Sequence, residues 1–286
     1  MARRAGTGAT ARATRGNAGR QAALPKEKAA GAVQSLTRGL QLLQRLGEAE
    51  GGVMLTDLAQ TVGLPNSTTH RLLTTLEAMG FARQTPDLGL WQVGVEAFRV
   101  GNAFLRSRDI VEQARPHLYH LMEEAGETAN LALLHEGRAV MVYQVECHEM
   151  MRMIVRIGGA VPMHASGVGK AMLAAMSEVE VKAVLHRHGL ARHTPHTVDS
   201  PARLAEEMAA TRGRGFSIDD EEHAVGLRCA AAAILDEEGR PLGAISISGP
   251  AARLSRERLL ELGARVAREA ASITRELGGL VPKGQA

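Results

Sequence analysis

Three groups of residues in this 286-residue chain have types and spacings that could do chemistry. The first is the run PMHASGVGKAMLA at 162–174. Its glycines and lysine, at what reads as the start of a helix, invite a phosphate-loop reading. A Walker-type loop needs its first glycine at 164, where the chain has His164. It also needs a hydroxyl after Lys170, where the chain has Ala171. A single Gly-x-Gly falls short of the dinucleotide fingerprint as well. What remains is physical. The first N–H groups of a helix lack internal partners, and the helix dipole adds positive charge there. Gly167, Val168 and Gly169 lead into that helix, and glycines let a ligand approach the backbone closely. Such a corner suits one compact anion, for example a carboxylate. The alternative is a plain strand-to-helix turn.

The second group is Asp219, Cys229, Ser246, Ile247 and Ser248. A hairpin turning near Gly239 puts Cys229 opposite Ser248. Ser246 and Ser248 alternate with Ile247, so both hydroxyls share one sheet face. Asp219 ends a short strand and could accept a hydrogen bond from a ligand hydroxyl. A ligand with a carboxylate and a hydroxyl or hydrated carbonyl would use both ends of such a pocket. A buried small-residue strand and a solvated acidic loop are the other readings. Asp219, His223 and Cys229 also invite an enzyme reading, but His223 and Cys229 straddle Gly226 and no nucleophile elbow is present. His186, His188, His193 and His196 lack a cysteine or carboxylate to complete a metal set, so they read as surface histidines. No catalytic residue, metal or cofactor is expected.

The third group is Ser67, Thr68, Thr69, His70 and Arg71. The elements around it read as helix, short helix, turn, helix and hairpin. Leu36, Leu40, Leu43 and Leu46 form one apolar stripe. Thr56 caps a short helix that Gly63 ends, and Asn66 and Ser67 cap a third helix with Leu72, Leu73, Leu76 and Met79 inward. A hairpin over 81–93 turns through Thr85-Pro86-Asp87-Leu88-Gly89. This is a winged helix-turn-helix, which puts the third helix in the major groove of DNA, its first turn nearest the bases. Hydroxyls there can reach phosphates or base edges, and Arg71 can pair with phosphate or guanine.

Residues 94–108 read as a further helix, with Val95, Phe98, Ala103 and Leu105 as its apolar residues; it pairs with its own copy or lies on the second domain. The rest reads as a helix at 111–125, strands at 128–134, 139–145 and 152–157, and helices near 168–176, 178–188 and 201–212. A strand at 216–219, a hairpin of 228–236 with 242–248, and a helix from Ser255 to about Gly278 complete it. Hairpins with inserted helices predict an antiparallel sheet packed by helices, hence an α+β chain.

Composition agrees. Residues 1–30 hold seven basic and one acidic residue (+6), residues 31–108 seven and six (+1), and residues 109–286 20 and 24 (−4). Positive charge is thus concentrated at one end, which suggests a polyanion partner there. Residues 1–32, rich in Ala, Gly, Arg and Thr, read as a disordered basic arm. Aromatics make up 2% of the chain, so base stacking is not the mode of recognition. No apolar run suits a membrane span, and the two cysteines form no metal-type pair. A cytoplasmic protein is expected.

The segments LPNSTTHRLLTTLEAMGF, PMHASGVGKAMLA and GFSIDDEEHAVGLRCAAAAILDEEGRPLGAISISGP, with the closing helix, resemble the IclR family of bacterial transcription regulators over about 33–279. SGVGK, DDEEHAVGLRC and YQVECHEMMRM look most like the family's repressors of allantoin and glyoxylate utilisation. The resemblance implies a DNA-binding domain at 33–95, a linker helix at 96–109 and a GAF/PAS-like effector-binding domain at 110–279. It implies a homodimer or homotetramer on double-stranded operator DNA, released by glyoxylate. The glyoxylate contacts carry over to Gly167, Val168, Gly169, Asp219, Cys229, Ser246, Ile247 and Ser248. The wing departs from the family: Trp91-Gln92-Val93-Gly94 stands where a Tyr-Arg-Leu-Gly-like run is usual, so Gln92 removes a phosphate contact.

Overall fold

The computed structural model describes residues 33–49, 51–106 and 109–282; the basic arm lies outside them. The chain divides into two units between Ala97 and Phe98.

The first unit carries helices α1 (Gln34–Glu48), α2 (Leu55–Val62) and α3 (Asn66–Ala78), then strands β1 (Ala82–Gln84) and β2 (Trp91–Val93). β1 and β2 pair antiparallel, with Gln84 opposite Trp91. Leu42, Leu46, Leu58, Leu73, Ala82 and Trp91 form the core. Gly63 sits at φ 66°, the left-handed conformation that turns α2 into α3 without a Cβ penalty. The expected stripe on α1 is corrected: Gly39, Leu42 and Leu46 face inward, and Leu36 and Leu40 are exposed. Met79 is exposed too. Neither expected cap is used, since α2 starts after Met54 and α3 after Pro65, without a side-chain cap. Gln92 donates to the Gly51 carbonyl at 3.0 Å, tying the wing to the α1–α2 turn.

Helix α4 (Val95–Arg106) crosses the division, with Val95, Phe98 and Val100 exposed in the single chain. The side chains of Ala103 and Leu105 lie outside the description.

The second unit holds α5 (Asp109–Ala125), β3 (Thr128–His135), β4 (Arg138–Val145) and β5 (Ala160–Val161). Next come α6 (Gly167–Ala175), α7 (Glu178–His188), α8 (Pro201–Arg214) and β6 (Ser217–Asp220). The hairpin β7 (Leu227–Leu235) and β8 (Pro241–Pro250) and the helix α9 (Arg256–Glu276) complete it. The strands form one sheet in the order β5-β4-β3-β8-β7-β6, with every neighbouring pair antiparallel. Strand alternation splits the core in two. Leu131, Ala230, Ala232, Ile234, Ile245 and Ile247 pack with α5 and α9. Ala132, Met141, Cys229, Ala231 and Ala244 pack on the opposite side with α6, α7 and α8. The chain is therefore α+β, with helices on both faces of an antiparallel sheet.

The strand expected at 152–157 is absent: these residues run as an irregular strap, and the third edge partner of β4 is the two-residue β5. Gly158 and Gly159 make the strap's backbone bonds to Met141, so its own alternating residues never join the ladder.

Trp91 anchors the small first unit, only 1% exposed, while serving in β2 and bridging to Val53. Trp91→Ala should cost about 3–5 kcal/mol. In calorimetry the transition of the first unit should fall while that of the second stays in place; equal losses in both would show that Trp91 is not a local anchor.

Candidate effector pocket and DNA-reading helix

Two rows of directly opposed residues cross the sheet face under α6. One runs Gln144, Asn130, Ser246, Ala231 and Ser217; the other runs Thr128, Ser248, Cys229 and Asp219. Cys229 is thus the partner of Ser248, as the hairpin turn predicted. The start of α6 presses onto these rows. A Cβ on Gly167 would stand 2.6 Å from Cys229 Sγ and 3.3 Å from the Ala231 Cβ. A Cβ on Gly169 would stand 2.4 Å from the Met163 backbone. The glycines are therefore demanded first by packing. Ser217 Oγ donates to the Gly167 carbonyl at 2.6 Å and fixes this end of the helix.

Between the helix start and the sheet lies a small cavity of about 60 Å³, walled by Met141, Met153, Val155, Val161 and Leu227 on its apolar side. Asn130, Asp219, Ser246 and Ser248 give it polar walls. A water needs about 10–15 Å³ of such room, so the cavity has space for a small molecule.

Two of the expected contacts change, and Lys170 finds a different partner. The Gly169 amide already donates to Ser166 Oγ at 3.2 Å, because Ser166 caps the helix. The amides left without an acceptor among the described residues are those of Gly167 and Val168. Ile247 points through to the α5–α9 core, because its neighbours Ser246 and Ser248 face the cavity and side chains alternate. Lys170, which looked like a phosphate lysine, is fully buried in an ion pair with Glu222, with Glu207 at 3.7 Å.

Asn130 is a cavity-lining residue that the sequence reading missed. Its amide donates to Ser248 Oγ at 2.7 Å and to Ser246 Oγ at 3.3 Å, and its oxygen accepts from Gln144 at 2.8 Å. With their oxygens already accepting, the two hydroxyls are left to donate. The signal was there: one amide stands alone in the apolar run TANLALL.

Burial, reinforced by the neighbouring Glu222 carboxylate, pushes the Asp219 carboxyl up to about 7. Asp219 accepts from the Glu222 and His223 amides at 2.8 and 3.3 Å. Burial and then Asp219 push the Cys229 thiol up to about 12. Cys229 is thus a thiol packing against α6 and no thiolate nucleophile. His223 lines the cavity beside the stacked rings of His193 and His164, with burial lowering the pKa of His223 and His164. Among the described residues no His, Cys, Asp or Glu grouping could hold a metal ion.

In the first unit, the opening turn of α3 presents Ser67, His70 and Arg71 outward, with Thr68 half-buried. Thr69 is corrected: it is fully buried and faces its own domain. His70 meets the edge of Trp91 at 6.4 Å between ring centroids, which ties the helix to the wing. Arg71 has no ion-pair partner among the described residues.

The comparisons with known proteins match both units. Residues 35–86 match the IclR helix-turn-helix domain, and residues 102–275 match the bacterial transcriptional regulator IclR C-terminal domain. The chain is 52% identical to the transcriptional repressor IclR of Escherichia coli K12, over 92% of this chain and 96% of that protein. It is 51% identical to the acetate operon repressor of Salmonella typhimurium, over 91% and 96%. It is 40% identical to the transcriptional repressor AllR of Escherichia coli K12, over 86% and 90%. The crystal structure of Thermotoga maritima IclR superposes with a TM-score of 0.68 at 29% identity, over 85% of this chain and 98% of that one. With two folded units matched in order along its length, the chain belongs to the IclR family of bacterial transcriptional regulators and is a repressor of that type.

Proposed function

We propose that the chain is a cytoplasmic repressor released from operator DNA by a small oxo acid, with glyoxylate as the effector. One observation carries this reading. A small cavity gathers the Gly167 and Val168 amides, the Ser246 and Ser248 hydroxyls and the Asp219 carboxyl. The four donors suit the oxygens of one carboxylate. Asp219 suits the aldehyde hydrate, whose hydroxyl can donate to it. The small size of the cavity and its polar walls favour a compact acid over an aromatic one.

Relatives at 51–52% identity, one of them named for the acetate operon, favour control of genes for two-carbon acid use. The allantoin genes rest on the more distant relatives at 40%. On DNA, Ser67, Thr68, His70 and Arg71 form the reading set, and the outward Leu36, Leu40, Phe98 and Val100 offer apolar surface for a homodimer. A hundredfold change in operator occupancy asks the ligand for about 2.7 kcal/mol of preference between the two states. A few charge-assisted hydrogen bonds supply that.

Three measurements test the reading. In a gel shift titrated with glyoxylate, the Ser246→Ala, Ser248→Ala double variant should bind operator normally and fail to respond; a retained response removes the serines. Arg71→Ala should weaken operator binding by about 1–3 kcal/mol with unchanged glyoxylate affinity. An unaltered gel shift takes Arg71 out of the reading set. The third test uses pH. A bound carboxylate favours the protonated form of Asp219, which is half-ionised near 7 in the free protein. Affinity for glyoxylate should therefore be highest below pH 7 and fall above it, by about tenfold per unit at the limit. Asp219→Asn should flatten that profile in calorimetric titrations; the same slope in the variant would assign the proton elsewhere.

A further inference from the structure

A second and larger cavity, of about 490 Å³, opens on the outer side of β6, away from the pocket under α6. Its polar walls are Arg203, Glu207, Arg214, Asp220, Glu222 and Arg256. Its acidic residues are already neutralised. Glu222 holds Lys170, Glu207 lies 3.7 Å from Lys170 and 3.8 Å from Arg214, and Asp220 accepts from Arg228 at 2.7 Å and from Arg256 at 3.0 Å. The cations are not used up in return. Arg203 makes no ion pair among the described residues, and Arg256 is bonded only through Nε. Arg214 gives Nε to the Phe216 carbonyl at 2.6 Å and stacks on the Phe216 ring, and its Nη2 is buried with no hydrogen-bond partner. The Glu222 side chain is 8% exposed, and its Oε2 likewise has no partner. The cavity thus offers unmet guanidinium donors and one unmet buried acceptor, a pair of needs that an unpaired buried polar group makes costly to leave open.

We propose that this cleft is a second ligand site, which takes an organic oxyanion larger than a two-carbon acid, held by Arg203, Arg214 and Arg256 and donating a hydroxyl hydrogen bond to Glu222. Its position makes it a regulator of the first pocket. The Glu222 amide bonds Asp219, and the Glu222 carboxylate holds Lys170 on α6, the helix whose first amides face that pocket. A ligand that draws on Glu222 shifts both walls, so the two sites modulate each other's affinity reciprocally. This coupling rests on the proposed effector reading; the outer site itself does not.

The shared chemistry is a carboxylate or phosphate on a hydroxylated carbon skeleton, so the test uses malate, citrate and glycerol phosphate, with inorganic phosphate as the bare-charge control. Each is titrated calorimetrically into the full-length protein. At least one hydroxylated oxyanion should bind more tightly than inorganic phosphate, and the carboxylate and phosphate arms identify the preferred head group. The Arg203→Ala, Arg256→Ala double variant, which changes two exposed side chains, should lose about tenfold or more in affinity for it. The Ser246→Ala, Ser248→Ala variant should keep that affinity, and saturation with the outer ligand should shift glyoxylate affinity several-fold. The proposal is overturned if no compound binds at millimolar concentration, if the arginine variant binds as wild type, or if the serine variant loses binding. A protein that ignores glyoxylate but binds the oxyanion through the arginines would sink the effector reading alone.

Discussion

The second unit depends on how closely α6 sits on β7. Gly167 rests against Cys229 and Ala231, and Gly169 rests against the Met163 backbone, at distances that admit no Cβ. This contact brings the first residues of a helix down to a sheet face, where they line one cavity with hydroxyls and a carboxyl. A bulkier residue at either glycine would lift the helix, and the cavity would lose its roof. The same closeness keeps the cavity small.

The polar walls answer to a second constraint. A carboxyl, two hydroxyls and an amide lie in an interior built of alanine, valine and isoleucine. Each must be satisfied, because an unpaired polar group there costs about 1–3 kcal/mol. Asn130 supplies most of the satisfaction: it accepts from Gln144 and donates to both serines. Asp219 is held by two backbone amides and raised by burial, so it is poised between its charged and neutral forms near neutral pH.

Much of this was legible in the chain itself. The left-handed Gly63 and the short helices around it gave the helix-turn-helix, and the turn at Gly239 gave the register that puts Cys229 beside Ser248. Two misreadings have physical causes. Leucines at steps of three and four on α1 define two overlapping stripes, and periodicity alone does not say which one is buried. Residues 152–157 alternate as a strand does, and Met153 and Val155 do line the cavity while Ile154 faces out, but the segment pairs with no strand among the described residues. The rejected phosphate loop had its own cause: the partner of Lys170, Glu222, is 52 positions away in sequence, so its ion pair was not legible locally.

The Lys170–Glu222 pair also bears on descent. A lineage that replaces Glu222 alone leaves Lys170 with the more distant Glu207 at 3.7 Å, whereas one that replaces Lys170 alone strands the buried Glu222 carboxylate, at about 3–5 kcal/mol. That is a large share of the roughly 5–15 kcal/mol that holds a typical domain folded. Drift at these two positions is therefore yoked: the pair persists intact, or it yields to a simultaneous exchange for neutral side chains.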